Sequence, residues 1–305
     1  MRHTFFILAL LYSISCSSQI QKAKNEDLEG TYQNNETAEN IKPLLQEYQA
    51  VRLEGTEVRQ ITSKMVKGME YKLYISLPDN YESSTDSYPV LYFLDAWAQF
   101  GIIRQAYWLL RFYDEVPPII IVGISYEGKT EDHVYYRARD YTPTKVPPET
   151  LGRLGDFTPI SGGAPDFVKF LEKELFPFIE EEYKADKTDR AIFGVSYGGL
   201  FGTYALFNHT DLFQRYFIGS PPVWWDDEIT LKQESDYADD NESLPVKVFV
   251  AIGGEENPAS YNKLLDRLLG RNYKDLELTS TIFENETHMS VVPAAHSRAL
   301  RVLYK

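Results

Sequence analysis

Residues 194–199 read Gly-Val-Ser-Tyr-Gly-Gly and fit the pattern G-x-S-x-G. A serine hydroxyl is a weak nucleophile unless a base is held against it. The pattern supplies the geometry for that chemistry. Small residues two before and two after Ser196 let a strand turn sharply into a helix, so the hydroxyl stands above a sheet. An apolar run (Ala191, Ile192, Phe193) comes just before, and a small-residue helix pattern (Gly198, Gly199, Leu200, Phe201, Gly202) follows.

The base must come from five histidines: His3, His133, His209, His288 and His296. In proteins built around such a turn, acid and histidine follow the serine in chain order. His209 ends the helix after the turn and is expected to point away. His296 lies inside the last helical pattern, where a packing role is expected. His288 sits in a loop after the apolar run at 278–284, the place for a general base. The acid is expected after the run VKVFVAIG (246–253), where Glu255 and Glu256 are adjacent. Either carboxylate suits the role of orienting an imidazole, and spacing alone does not choose. An acyl-transfer site also needs two backbone N–H donors for the oxyanion. One is expected from Tyr197, the other from Ala96 or Trp97 after the run YPVLYFLD (88–95).

The elements that position these residues are legible as apolar runs. VRQITSKM (58–65) and YKLYISLP (71–78) read as an antiparallel pair joined around Gly68. The runs at 88–95, 118–125, 190–196, 246–253 and 278–284 are apolar with little alternation, as in parallel strands covered on both faces. Helical spacing is clearest at 167–183, where Pro177 should kink or divide the helix, and at 261–270 and 292–303. The alternation predicts an α/β fold, a mostly parallel central sheet with helices on both faces. Two long connections stand out. The first, 127–163, is rich in charge, Pro, Gly and Tyr; a connection that long carries function or local structure. The second, 224–245, is strongly acidic and reads as a solvated loop.

Composition limits the function further. The 305 residues hold 31 Lys and Arg against 45 Asp and Glu, a net charge of −14, which argues against nucleic acid as a partner. One cysteine excludes an intramolecular disulfide and cysteine-rich zinc sites. No metal or organic cofactor is expected.

The N-terminus reads MRHTFFILALLYSISCSS, a basic start and a short apolar core. Residues 1–15 are expected to be a secretory signal, with Cys16 lipidated and residues 16–55 a polar tether leading to the domain at 56–305. A short helix is expected at 41–48. A bacterial periplasmic or outer-membrane lipoprotein, held at the membrane by its anchor, follows as the expected location.

Several segments together resemble the esterase family of α/β hydrolases that includes enterochelin-type siderophore esterases, esterase D and feruloyl or acetylxylan esterases. They are YPVLYFLD, RARDYTP (137–143), SGGAPDFVKFLEKELFPFIEEEY, GVSYGGLFGTYAL, SPPVWW, GGEE and HMSVVPAAHSRALRVLY. The resemblance spans 56–305 and implies the α/β-hydrolase fold and a serine carboxylic-ester hydrolase. It implies Ser196 as nucleophile and His288 as base. It favours Glu256, three residues beyond Gly253, as the acid. It differs at Asp95-Ala96, where the family often has Asp-Gly. R-x-R-D-Y-T-P is nearest to the siderophore-esterase branch, so Arg137 and Arg139 are candidates to hold an anionic substrate or, equally, structural arginines paired with Asp140 or other acids nearby. Trp224 and Trp225 are candidates for an aromatic wall, with buried packing under the acidic segment an equal alternative for at least one of them. The substrate is then a siderophore ester or a carbohydrate acyl ester. Acyl transfer on the same fold, or a non-catalytic binding lipoprotein, are the alternatives.

Overall fold

The computed structural model describes residues 52–305, of which Glu54–Lys305 form one compact unit. Cys16, the signal, the tether up to residue 51 and the expected helix at 41–48 lie outside the described residues.

Eight strands form one sheet in the order β1-β2-β4-β3-β5-β6-β7-β8. Strands β1 (Thr56–Thr62) and β2 (Glu70–Ser76) pair antiparallel around a turn in which Gly68 takes a positive φ of 79°. β2 also runs antiparallel to β4 (Ile120–Tyr126). All other pairings are parallel: β3 (Tyr88–Phe93), β5 (Ala185–Val195), β6 (Arg215–Gly219), β7 (Lys247–Gly253) and β8 (Glu277–Phe283).

The apolar runs lack alternation because both faces of the sheet are covered. On one face Leu91, Phe93, Ile121, Phe193, Phe217 and Phe249 are buried against helices α1 (Ala96–Phe112) and, last in the chain, Val291–Tyr304. On the other, Tyr92, Val122, Ile192, Ile218 and Val250 are buried beneath the remaining helices. These are α2 (Thr130–Asp140), α3 (Ala164–Phe170), α4 (Phe176–Glu182), α5 (Tyr197–Asn208), α6 (Trp225–Asp240) and α7 (Ala259–Arg271), which makes the last helix α8.

Three features depart from or refine the sequence expectations. Strand β6 was not marked by any predicted run, yet it lies between β5 and β7 near the middle of the sheet. Pro177 does divide the helix at 167–183: a π-helical turn, Leu171–Leu175, separates α3 from α4. The ring removes one backbone donor, and a wider turn absorbs the loss. The acidic stretch after Trp224 is helix α6, not a solvated loop. Its Glu234 is fully buried and accepts hydrogen bonds from Arg267 Nη1 (2.9 Å), Arg271 Nε (2.9 Å) and the Tyr273 hydroxyl (2.7 Å). A buried carboxylate is tolerable only with such partners.

The long connection 127–163 carries α2 and a 3-10 segment, Pro148–Phe157. Its RARDYTP segment is tied to the Gly162-Gly163-Ala164 turn. The Thr142 hydroxyl accepts from the Gly162 N–H (2.8 Å), the Arg139 carbonyl from the Gly163 N–H (2.9 Å) and the Thr142 carbonyl from the Ala164 N–H (3.1 Å).

Candidate active site

Ser196 stands between β5 and α5 with φ 60° and ψ −123°, a backbone state that non-glycine residues seldom occupy. Its N–H donates to the Gly219 carbonyl (2.9 Å), which holds the turn against β6. The flanking glycines are there for clearance. A Cβ on Gly194 would lie 2.2 Å from the Gly198 oxygen, and one on Gly199 would lie 2.5 Å from the Gly219 oxygen.

The candidate base, His288, and the candidate acid, Glu256, meet at the ends of the last two strands. His288 Nδ1 and Glu256 Oε2 are 2.6 Å apart. The other carboxylate oxygen accepts from the Ser220 hydroxyl (2.8 Å) and the Gly253 N–H (2.9 Å). Burial pushes the Glu256 carboxyl up, but the bonds from His288, Gly253 and Ser220 outweigh burial and hold it below the usual carboxylate range. Glu255 is exposed and turned away, its N–H bonded to the Glu286 carbonyl (3.0 Å). The histidine loop can lie this close to β7 because Gly253 has no side chain: a Cβ there would be 2.4 Å from the Glu286 oxygen. Among the described residues no hydrogen bond joins the Ser196 hydroxyl to His288. Contacts of this kind commonly close only when substrate binds.

Ala96 and Tyr197 are the first residues of α1 and α5. The first N–H groups of a helix have no intrahelical acceptor, so both helices offer donors here. Strands β3 and β5 are neighbours, and the Leu94 N–H donates to the Phe193 carbonyl (3.0 Å), so the two helix starts lie side by side. Trp97 follows as the second residue of α1, its ring stacked on His133 at 5.1 Å and 8°.

The other histidines follow expectation. His209 caps the end of α5, and its ring lies against the Tyr204 hydroxyl (3.3 Å). His296 is buried in α8 and bonds to Gln99 Oε1 at 2.6 Å.

The arginines and one tryptophan make contacts within the fold. Arg137 is clasped by Asp95, its Nε and Nη2 donating to the two carboxylate oxygens at 2.7 and 2.9 Å. Arg139 Nε donates to buried Asp140 (2.6 Å), which also accepts from the Tyr71 hydroxyl (2.7 Å), and Arg139 Nη2 is buried too. Both cations are paired with carboxylates within the fold, and Arg139 Nη2 has no hydrogen-bond partner among the described residues. Trp225 has no exposed surface. It packs edge-on to Tyr197 (5.6 Å, 81°) and donates Nε1 to Thr144 Oγ1 (3.1 Å), so it braces the elbow and lines no cleft. Trp224 is 45% exposed and stays available. Sequence reasoning missed Ser220, whose role as a partner of the acid had no signal beyond its place in SPPVWW.

Comparison with known proteins identifies the family. The Esterase family model, described as "Putative esterase", matches residues 63–299. The chain is 34% identical to the ferri-bacillibactin esterase BesA of Bacillus subtilis, over 83% of this chain and 90% of that protein. A solved structure of the BES protein from Bacillus cereus superposes with a TM-score of 0.74 at 32% identity, covering 85% of this chain and 98% of that one. An IroE-like serine hydrolase from Shewanella oneidensis gives 0.68 at 28% identity, covering 82% and 80%. The mixed eight-stranded sheet, the elbow between β5 and α5 and these likenesses lead to one conclusion: the chain belongs to the Esterase family of α/β hydrolases and is a carboxylic ester hydrolase.

Proposed function

We propose that this esterase cleaves siderophore esters through an acyl-enzyme on Ser196, with His288 as base and Glu256 as its orienting acid. The observation that carries the reading is the 2.6 Å bond between His288 and Glu256, at the ends of β8 and β7 in the same sheet whose β5 leads into the strained Ser196 turn. His288 Nε2 takes the serine proton as the hydroxyl attacks the ester carbonyl. Glu256 fixes the tautomer and stabilises the imidazolium. The N–H groups of Tyr197 and Ala96 receive the developing oxyanion; each such donor contributes about 3 kcal/mol in the transition state. His288 then protonates the departing alkoxide, and a water activated by the same ring releases the acid.

The substrate class rests on a relative: the protein that shares 34% of its residues is named for ferri-bacillibactin. The test is a hydrolysis panel: a ferric tris-catecholate lactone, feruloyl and acetyl xylo-oligosaccharides, and p-nitrophenyl acetate. The lactone is expected to give the highest kcat/KM, and a preference for the sugar esters would reject this class. Ser196→Ala is expected to abolish turnover of all of them. We also propose that Cys16 carries a lipid, on the strength of its place after the apolar N-terminal core.

A further inference from the structure

Helix α2 contributes no residue to the triad proposed above, yet two of its side chains, one turn apart, grip the start of α1. His133 is 8% exposed and stacks on Trp97 at 5.1 Å. Arg137, four residues on, holds both oxygens of Asp95, which is 4% exposed and takes a positive φ of 57° as the residue before Ala96. A left-handed aspartate at a strand-to-helix turn is a strained state that persists only where its surroundings enforce it. The bidentate guanidinium supplies that enforcement, because a planar fork fixes the direction as well as the distance of a carboxylate. The same guanidinium lies over the rings of Tyr197 (5.3 Å) and Tyr141 (5.6 Å). The Asp95 N–H points at the Tyr141 hydroxyl (3.4 Å), and the Tyr197 hydroxyl is tied to Thr158 (2.8 Å). Arg137 therefore touches both residues that set the two oxyanion donors: Asp95 on the Ala96 side and Tyr197 on the other.

We propose that α2 is a brace for the oxyanion hole, with Arg137 as a positioning residue that locks the Ala96 and Tyr197 N–H groups in register, and with His133 packing the loop from behind. The inference rests on the reading of Ala96 and Tyr197 as the oxyanion donors. It assigns to Arg137 a role in turnover of every ester, charged or neutral.

The experiment is steady-state kinetics of the full chain and of Arg137→Lys and Asp95→Asn, on neutral p-nitrophenyl acetate and on an anionic catecholate ester. The rate of labelling by a fluorophosphonate is measured alongside. Lysine keeps the charge and loses the fork. Asp95→Asn removes a group that has no positive charge to offer a substrate. Both variants are expected to lose kcat by on the order of 10- to 100-fold on both esters. KM should stay within about twofold, labelling should slow in parallel, and the double variant should be no worse than the poorer single one. A folded Arg137→Lys with unchanged kcat on p-nitrophenyl acetate would overturn the brace. So would a loss confined to KM for the anionic ester, since that is the behaviour of a substrate-binding arginine. If both ion-pair variants fail to fold, His133→Ala decides, because it removes only the stack: a reduced kcat supports the brace and an unchanged one rejects it. Failure of the esterase mechanism itself reads differently, as wild-type protein that neither turns over an ester nor takes the fluorophosphonate label.

Discussion

Glu256 gathers three donors, from His288, Ser220 and the Gly253 backbone, and this explains how one exposed turn of chain can hold a charged acid beneath a histidine. The depressed carboxyl has a signed consequence. Its folded pKa lies below the unfolded value, so its contribution to stability is complete above the ordinary carboxylate range and is lost as pH falls through the depressed value. Ser220→Ala removes one of the bonds that lower it. The acid limb of the kcat/KM profile that belongs to Glu256 should therefore move to higher pH, with a modest loss of kcat at neutral pH. Glu256→Gln should lower kcat by roughly 100-fold or more, because an amide neither orients the imidazole nor stabilises its cation. Wild-type kcat in Glu256→Gln would remove Glu256 from the mechanism.

Helices α1 and α8 share one face of the sheet, and their contact includes a polar pair, buried His296 with half-buried Gln99. Burial pushes the imidazole down to about 3, so the folded protein keeps it neutral where the unfolded chain would protonate it. Between the ordinary histidine value and about 3, the unfolded state binds the extra proton. Stability therefore falls with acidification across that window, by up to about 1.4 kcal/mol per pH unit for this one group. His296→Gln should give a flatter curve of denaturation midpoint against pH from 6 to 4, whatever its effect at pH 7. A slope equal to wild type would show that other groups control acid unfolding. The elbow makes a second demand on its elements. Gly194→Ala places a methyl 2.2 Å from the Gly198 oxygen, where only backbone can yield. It should cost roughly 1–3 kcal/mol of stability, read in a chemical melt, and should misplace Ser196 as well.

The protein as a charged body bears on how it meets its substrate. It carries a net charge of −14, and Arg137 and Arg139 are paired with Asp95 and Asp140. Nothing in that pairing relieves the repulsion of an anionic ester. Added salt screens such repulsion. KM for a ferric catecholate lactone should fall severalfold as ionic strength rises from low to roughly 0.5 M, while KM for neutral p-nitrophenyl acetate stays flat. A KM that rises with salt would indicate a cationic site elsewhere on the surface. For the proposed anchor, labelled palmitate should enter the wild-type chain and fail to enter Cys16→Ala; absence of label from both would reject lipidation.

Much of the architecture was written in local pattern. Strands buried on both faces must be apolar throughout, which made β3, β4, β5 and β7 legible; β1 and β2 were legible as an antiparallel pair around Gly68, and β8, an edge strand, from its Leu-Ile-Phe content. The elbow was legible because its small residues sit at fixed spacing around Ser196, with Gly194 meeting Gly198 four residues on, and His288 because few histidines remain after Ser196. Strand β6 escaped because five residues between a helix and a Pro-Pro turn leave no period to read. The preference for Glu256 over Glu255 came from family likeness, since adjacent residues differ only in which way the backbone turns them. For Arg137, Arg139 and Trp225 the sequence leaves a ligand role and a structural pairing equally open, and for Ser220 and Glu234 it carries no signal, for a common reason. The fate of each is set by a partner between 1 and 81 positions away, and a charge or an indole looks the same in sequence whether it faces a ligand or a buried neighbour. Residue types and spacing thus established the chemistry available and the order of its parts. Which charges are free to act, and which are consumed in holding the site open, depended on long-range packing, because burial and pairing are properties of the closed chain.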